Sequence, residues 1–260
     1  MMSQVVDVLL IAAVQMEFDA AKAAFTAPAP DSPGVANWSD VLEPATAPYL
    51  LGTYNGPSRR SFTVALARPT RMGSSRTTQV ATILSNLLQP RCIVMCGVCA
   101  GNPSDLALGD VVLSELAYAY DEGKLEAAGF VGDHRQSPVS SAWLRAAQDL
   151  SSDGLPSHGL ATSQDAEFWL LERLHNGADP RKHPARTRYF PEGAWQSTVR
   201  DLEARKLIER VGPTLRLTEG GIERINESLV YNVDPPKKLP FALKVGPFAS
   251  GNVVVKDGMT

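Results

Sequence analysis

The sequence has little cysteine, no long apolar run and almost no net charge, and each shortage excludes a class of protein. Its three cysteines lie between residues 92 and 99 and cannot all pair with one another, which indicates a reducing, cytoplasmic setting. None of its apolar runs approaches the length that spans a bilayer. A formal net charge of −3 gives no overall attraction to nucleic acid or to an anionic membrane.

The composition is that of an ordinary globular protein. The chain has 260 residues, of which 44% are hydrophobic and 20% charged, enough to bury a sizeable core. The apolar run Val5–Ala13 has no basic region before it, and Glu17 and Asp19 follow it. We therefore interpret the run as a buried strand rather than as a signal peptide.

Strands and helices alternate over the first 120 residues, which predicts an α/β fold. Strands are predicted at Val5–Ala13, Tyr49–Tyr54, Ser61–Ala67, Cys92–Cys96 and Asp110–Ala117, and helices at Glu17–Phe25 and Thr77–Leu88. The strand pattern returns at Phe241–Val255. We expect a mixed, mainly parallel sheet flanked by helices.

The pattern becomes helical from about residue 162. Residues 166–177, 194–210 and 222–229 predict helices, and residues 211–221 predict a hairpin. The stretch STVRDLEARKLIERVGPTLRLTEGG resembles the winged-helix modules of small bacterial regulators. The predicted organisation is a discontinuous α/β domain, residues 1–161 and 235–260, with an α-rich, winged-helix-like insertion at residues 162–234.

The spacing of Cys92, Cys96 and Cys99 is the C-x3-C-x2-C spacing with which radical enzymes hold an iron–sulfur cluster. In a strand, however, Cys92 and Cys96 lie roughly 13 Å apart, too far for one cluster. No histidine lies nearby as a fourth zinc ligand. We therefore predict no metal site, but a buried strand that runs into a glycine-rich loop.

Four segments in order resemble the purine nucleoside phosphorylase/nucleosidase superfamily, in particular its methylthioadenosine/S-adenosylhomocysteine nucleosidase branch. They are IAAVQMEFDA, RPTRMGSSRTTQVATIL, CGVCAGNPSDLALGDVVLSELAYAYDEG and VGPFASGNVVVKDG, which together cover about residues 5–125 and 243–258. The resemblance implies a nucleoside phosphorylase-like fold, a purine nucleoside or nucleotide as substrate, self-association into a homo-oligomer and no cofactor.

The resemblance also implies roles for individual residues. Glu17 falls on the catalytic glutamate, and an ordinary glutamate at a helix N-terminus is the alternative. The positions implied to bind substrate are Met72, Gly73, Gly97, Val98, Cys99, Val254 and Val255. For these positions the alternatives are a tight turn between strand and helix or plain sheet core.

The chain departs from the family's pattern near its end. Val254 replaces an aromatic residue that stacks on the base, and Asn252 replaces an aspartate. The E-M-E segment that grips the ribose and the S-D-x-A-D segment that protonates the purine have no counterpart. We expect a core truncated at its C-terminus, or a site that lacks these parts.

Arg68, Arg71 and Arg76 cluster around the second of the four segments. Guanidinium groups suit phosphate oxygens, so the cluster predicts a phosphorylated substrate such as AMP or ATP, or inorganic phosphate as nucleophile. Exposed arginines on a loop without a ligand are the alternative.

The leading hypothesis is cleavage of the N-glycosidic bond of an adenine nucleoside or nucleotide with release of free base. Composite relatives in the superfamily are antiphage effectors that deplete adenine nucleotides. The alternatives are a phosphorolytic enzyme of the same fold, and an inactive, ligand-sensing regulator that binds DNA. Because residues 162–232 contain 11 basic and 11 acidic side chains, we favour a protein contact or a lid over DNA binding for the insertion.

Overall fold

The computed structural model describes residues 5–27, 33–56, 60–133, 135–231 and 236–251. The chain divides into two units. The first comprises Met1–Cys99, Tyr118–Gln136 and Ala249–Thr260, and the second comprises Ala100–Ala117 and Ser137–Phe248. Within the described residues, no helix is long and apolar enough to cross a membrane.

The strands and helices have the following bounds. The strands are β1 (Val8–Ala12), β2 (Gly34–Val35), β3 (Ser39–Val41), β4 (Tyr49–Asn55), β5 (Ser61–Ala67), β6 (Cys92–Cys96), β7 (Val111–Ala119), β8 (Gly123–Glu126), β9 (Gly129–Gly132), β10 (Ser137–Pro138), β11 (Ile208–Val211), β12 (Thr214–Leu217) and β13 (Leu243–Ser250). The helices are α1 (Gln15–Thr26), α2 (Ser74–Leu88), α3 (Ser141–Gln148), α4 (Ser163–His175), α5 (Arg186–Tyr189), α6 (Ala194–Ala204) and α7 (Glu219–Tyr231).

The first unit contains the hairpin β8–β9 and a six-stranded sheet, whose order is β2-β4-β5-β1-β6 with β3 also paired to β4. β1 runs parallel to both β5 and β6, whereas β4 is antiparallel to β2, β3 and β5. The α/β class and the mixed sheet are confirmed, but the expectation of a mainly parallel sheet is wrong. β4 and β5 follow each other in a hairpin, and strands joined by so short a connection pair antiparallel.

Helices cover both faces of this sheet, as predicted. Leu9 and Ile11 of β1 lie in one apolar cluster with Val80, Leu84 and Leu88 of α2, which are four residues apart and share one helix face. The residue between them in sequence, Leu10, lies in the other cluster with Leu50 and Leu66, against Phe18 and Phe25 of α1. Alternation along β1 therefore buries the strand between two helices.

β6 has the predicted bounds but is not the buried strand that we expected. Ile93, Val94 and Met95 are 52%, 37% and 62% exposed. β6 is the last strand in the order of the described sheet, so only β1 pairs with it there. An edge strand has fewer neighbours to cover it than a central one, and the apolar composition of CIVMC does not reveal which of the two it is.

The second unit contains helices α3 to α7, a three-stranded sheet β10-β7-β13 and the hairpin β11–β12. Its core is an apolar cluster that includes Trp169, Leu170, Leu202 and Ile225. The helix predicted at residues 194–210 ends earlier, at Ala204, because Lys206 adopts a positive φ of 55° and Ile208–Val211 forms β11. Residues 162–234 lie within this unit, and the winged-helix assignment stays a prediction.

Asp110 joins three segments of the second unit. Its carboxylate accepts hydrogen bonds from Arg188 at 2.6 and 2.9 Å, and from the amides of Ala107 and Ala242 at 2.9 and 2.8 Å. Burial raises the pKa of Asp110, but the bonds from Arg188 and the two amides outweigh burial, so the pKa lies below its usual range. The charged pair therefore anchors β7 and α5 to the segment that leads into β13.

We predict that Leu84→Ala lowers the free energy of unfolding of the first unit by about 2–5 kcal/mol. Leu84 is fully buried between α2 and β1, so the truncation leaves a cavity in the core. Leu42→Ala is the control, because Leu42 is 70% exposed. Chemical denaturation measures both variants, and equal effects would contradict the packing of α2 against the sheet.

Candidate functional site

The carboxyl ends of three strands meet at one edge of the first unit's sheet. β5, β1 and β6 are parallel neighbours, so the segments that follow them begin side by side. Arg68 follows β5, Ala13 follows β1 and Gly97 follows β6. In open α/β sheets, this edge is where small molecules bind. The fold therefore places the predicted catalytic, phosphate-binding and glycine-rich segments at one location.

Glu17 joins two of these segments through its carboxylate. It lies in the first turn of α1, and its Oε2 accepts hydrogen bonds from the amides of Ala13 at 3.0 Å and Val14 at 3.2 Å. Its Oε1 accepts a hydrogen bond from the amide of Val98 at 2.8 Å. The carboxylate is thereby fixed between the end of β1 and the loop after β6.

The bonding pattern leaves Oε1 of Glu17 as the more available oxygen. A carboxylate offers about two acceptor positions on each oxygen. Within the described ranges, Oε2 uses two of them for backbone amides, whereas Oε1 uses one. The arrangement stabilises negative charge and leaves an acceptor position that a water molecule or a hydroxyl group can use.

Gly97 is required by the position of Glu17. A Cβ atom at residue 97 would lie 2.5 Å from Oε1 and 2.8 Å from Cδ of Glu17, closer than atoms can approach. From the sequence we expected the backbone of Gly97 to line a pocket. The structure adds a second reason for glycine at this position, namely the space that the Glu17 carboxylate occupies. Only the contact with a residue 80 positions away in the chain reveals it.

Cys92 and Cys96 lie at the two ends of β6. Burial, followed by the charge of Glu17, raises the pKa of Cys96, and burial raises the pKa of Cys92. Both thiols therefore stay protonated at neutral pH. Cys99 is exposed. Across the described ranges, no group of three or more His, Cys, Asp or Glu side chains is placed to hold a metal ion.

The arginine segment follows β5. Arg68 donates to the carbonyl of Pro69 at 3.3 Å, and Arg76 donates to the side chain of Gln79 at 3.1 Å. Arg71 and Arg76 are exposed, whereas Arg68 is half-buried. In the part of the chain that the structure describes, no carboxylate forms an ion pair with Arg68, Arg71 or Arg76. Their charges are thus available to an anionic ligand.

The other predicted site residues differ in what the structure says of them. Met72 and Val98 are 63% and 83% exposed, so their side chains face solvent. Gly73 precedes α2 with a φ of 123°, a left-handed conformation that favours glycine. Val254 and Val255 lie outside the described residues. The binding roles of all these positions stay predictions.

Comparison with known proteins gives matches among solved structures only. No protein-family model matches the chain, and no curated protein matches it significantly. The chain is similar to the 5′-methylthioadenosine/S-adenosylhomocysteine nucleosidase from Neisseria meningitidis in complex with methylthio-immucillin-A. The identity is 17% and the TM-score 0.42, over 55% of this chain and 56% of that one.

Two further structures are similar. S-adenosylhomocysteine nucleosidase from Streptococcus pyogenes, in complex with 5-methylthiotubericidin, is 18% identical with a TM-score of 0.40, over 55% of this chain and 56% of that one. The corresponding nucleosidase from Helicobacter pylori is 11% identical with a TM-score of 0.43, over 94% of this chain and 86% of that one. The match spans about half the length of the first two structures.

We predict that Gly97→Ala displaces the Glu17 carboxylate and lowers the free energy of unfolding by about 1 kcal/mol, the worth of a typical hydrogen bond. Gly246→Ala is the control, because a Cβ atom there has no neighbour within 4 Å. Chemical denaturation measures both. In a Glu17→Ala background the added methyl group has space, so the cost of Gly97→Ala should fall; an unchanged cost would contradict this coupling.

Proposed function

We propose that the chain cleaves the N-glycosidic bond of an adenine nucleoside or nucleotide, with Glu17 as the catalytic carboxylate. The observation that supports this most directly is the set of hydrogen bonds that three backbone amides donate to the Glu17 carboxylate. Amides at the ends of two neighbouring parallel strands hold the carboxylate, and one acceptor position stays available on Oε1. The four-segment resemblance of the sequence to purine nucleosidases points to the same residue.

The chemistry needs a carboxylate of this kind. The bond from ribose C1′ to the base nitrogen breaks through a transition state that resembles an oxocarbenium ion. In hydrolysis, a water oxygen bonds to C1′, its proton passes to Oε1 of Glu17, and the bonding electron pair leaves with the base. A second group must protonate the departing base, and the resemblance assigns that role to a segment without a counterpart in this sequence.

The arginine segment supports a phosphorylated substrate. Arg68, Arg71 and Arg76 have no carboxylate partner among the described residues. The segment that carries Arg68 and Arg71 follows β5, at the same sheet edge as Glu17, and Arg76 lies in the first turn of α2. One guanidinium group can bind two phosphate oxygens at once. AMP or ATP therefore suits the segment better than an uncharged nucleoside does. Cleavage of ATP or AMP would deplete adenine nucleotides, the antiphage role that composite members of the superfamily have.

Phosphorolysis is the second candidate, because the same arginines could hold inorganic phosphate as the nucleophile. The phosphate oxygen would then bond to C1′ in place of water. Assaying base release with and without added phosphate separates the two: hydrolysis proceeds without phosphate, whereas phosphorolysis requires it.

We predict that Glu17→Gln lowers the rate of base release by about 10²–10⁴-fold, because an amide cannot take the proton. ATP, AMP, adenosine and methylthioadenosine are incubated with the protein, and free base is measured. Asp19→Asn is the matched control, since Asp19 is an exposed acid on α1 that accepts from Gln15. The proposal fails if none of the purine substrates releases base, or if Glu17→Gln keeps the parental rate.

We predict that Arg71→Ala raises the KM for AMP about tenfold and leaves the KM for adenosine nearly unchanged, because only AMP carries the phosphate that the guanidinium binds. Steady-state kinetics with both substrates measure the ratio. Arg91→Ala serves as control, because Arg91 precedes β6 at the opposite sheet edge and pairs with Asp7. Equal changes for both substrates would contradict a nucleotide substrate.

A further inference from the structure

A cavity of about 440 Å³ lies in the second unit, between α6 and the turn of the β11–β12 hairpin. Three arginines and no acidic side chain are among the described residues that line it. The residues that matter for its chemistry are Arg181, Trp195, Gln196, Arg200, Arg210 and Pro213. The volume falls within the range of small-molecule sites.

Two of the arginines are held in place by carboxylates. Arg181 donates to both carboxylate oxygens of Asp179 at 2.9 Å, and it also donates to the carbonyl of Pro213 at 2.5 Å in the hairpin turn. Arg210 donates to Glu203 at 2.5 and 3.3 Å. A guanidinium carries five N–H donors, so each keeps donors that these bonds do not use.

The third arginine has no such partner. Arg200 is exposed on α6, and among the described residues no carboxylate pairs with it. Asp179 and Glu203 balance the charges of Arg181 and Arg210, whereas Arg200 has no ion-pair partner within the part of the chain that the structure describes. Two oriented guanidinium groups and one unpaired group therefore face a common space.

We propose that this cavity binds a small phosphate-bearing molecule of mononucleotide size. The N–H donors that Arg181 and Arg210 keep beside their carboxylates can bind phosphate oxygens, and both side chains have already lost side-chain freedom to those carboxylates. Trp195 and Val199 supply an apolar wall, and the Gln196 amide can donate and accept hydrogen bonds to the remainder of the ligand.

The observations favour a small ligand over a nucleic-acid duplex. The site is concave, and residues 162–232 carry equal numbers of acidic and basic side chains, whereas a polyanion needs a basic surface that extends over several phosphates. All the described residues that line the cavity belong to the second unit, so this proposal does not depend on the chemistry proposed for Glu17.

Calorimetric titration of the full chain with AMP tests the proposal, in a Glu17→Gln background so that any cleavage of the ligand is slowed. We expect Arg200→Gln to weaken one binding event about tenfold, the effect of losing one charge-assisted hydrogen bond. Inorganic phosphate should compete with AMP for the cavity. Arg71→Ala should leave the affinity of that binding event unchanged. This result would distinguish AMP binding in the cavity from AMP binding near Glu17.

Arg216→Gln is the matched control. Arg216 lies in the same hairpin, opposite Glu209, and does not line the cavity. The proposal is overturned if Arg200→Gln weakens no binding event at millimolar AMP or phosphate. It is also overturned if Arg216→Gln weakens binding as much as Arg200→Gln does. It is also overturned if duplex DNA binds this surface in an Arg200-dependent way while AMP does not compete. Failure here would leave the base-release assay of Glu17 unaffected.

Discussion

The parallel pairing of β1 with both β5 and β6 is the constraint on which the first unit depends. The register places Val8 beside Val64 on one side and beside Cys92 on the other. Because Leu9 and Leu10 are buried on opposite faces, β1 cannot shift without breaking either its hydrogen bonds or one of two apolar clusters. The carboxyl ends of the three strands are therefore fixed relative to one another.

The position of Glu17 follows from this constraint. Only Ala13 and Val14 separate the end of β1 from α1, so the first helical turn lies directly over the sheet edge. The carboxylate then reaches the amide of Val98 beyond β6, and Gly97 makes room for it. The role proposed for Glu17 gains from this arrangement, since the cost of orienting the carboxylate is met during folding.

Charged side chains have two different roles in this chain. Asp110 and Glu172 are nearly buried and are bonded to Arg188 and Arg173, so their charges serve packing. Arg71 and Arg200, in contrast, are exposed and have no carboxylate partner in the described ranges. An arginine that packing does not employ is free to bind an anion, and both proposals for anion binding depend on this distinction.

Local patterns in the sequence were sufficient to predict the bounds of β5 and β6 and the apolar face of α2, because alternation and the 3.6-residue period are properties of each segment alone. They did not predict that β6 lies at an edge, that α6 stops at Ala204, or that antiparallel pairs outnumber parallel ones among the described strands. These features depend on which other segments pack against each strand or helix, and the local pattern of one segment does not show that.

The same distinction between local sequence pattern and tertiary contact applies to the candidate site. The sequence by itself determined which residues have the chemistry: Glu17 as a carboxylate, Gly97 as a glycine after a strand, and Arg71 as a cation on a loop. Only the tertiary structure decided that Glu17 and Gly97 touch, that three amides orient the carboxylate, and that Arg200 faces the same cavity as Arg181 and Arg210. The bonds from Ala13 and Val14 are local, but the contacts of Glu17 with Gly97 and Val98 join residues about 80 positions apart, and they exist only once the core has brought β1 and β6 together.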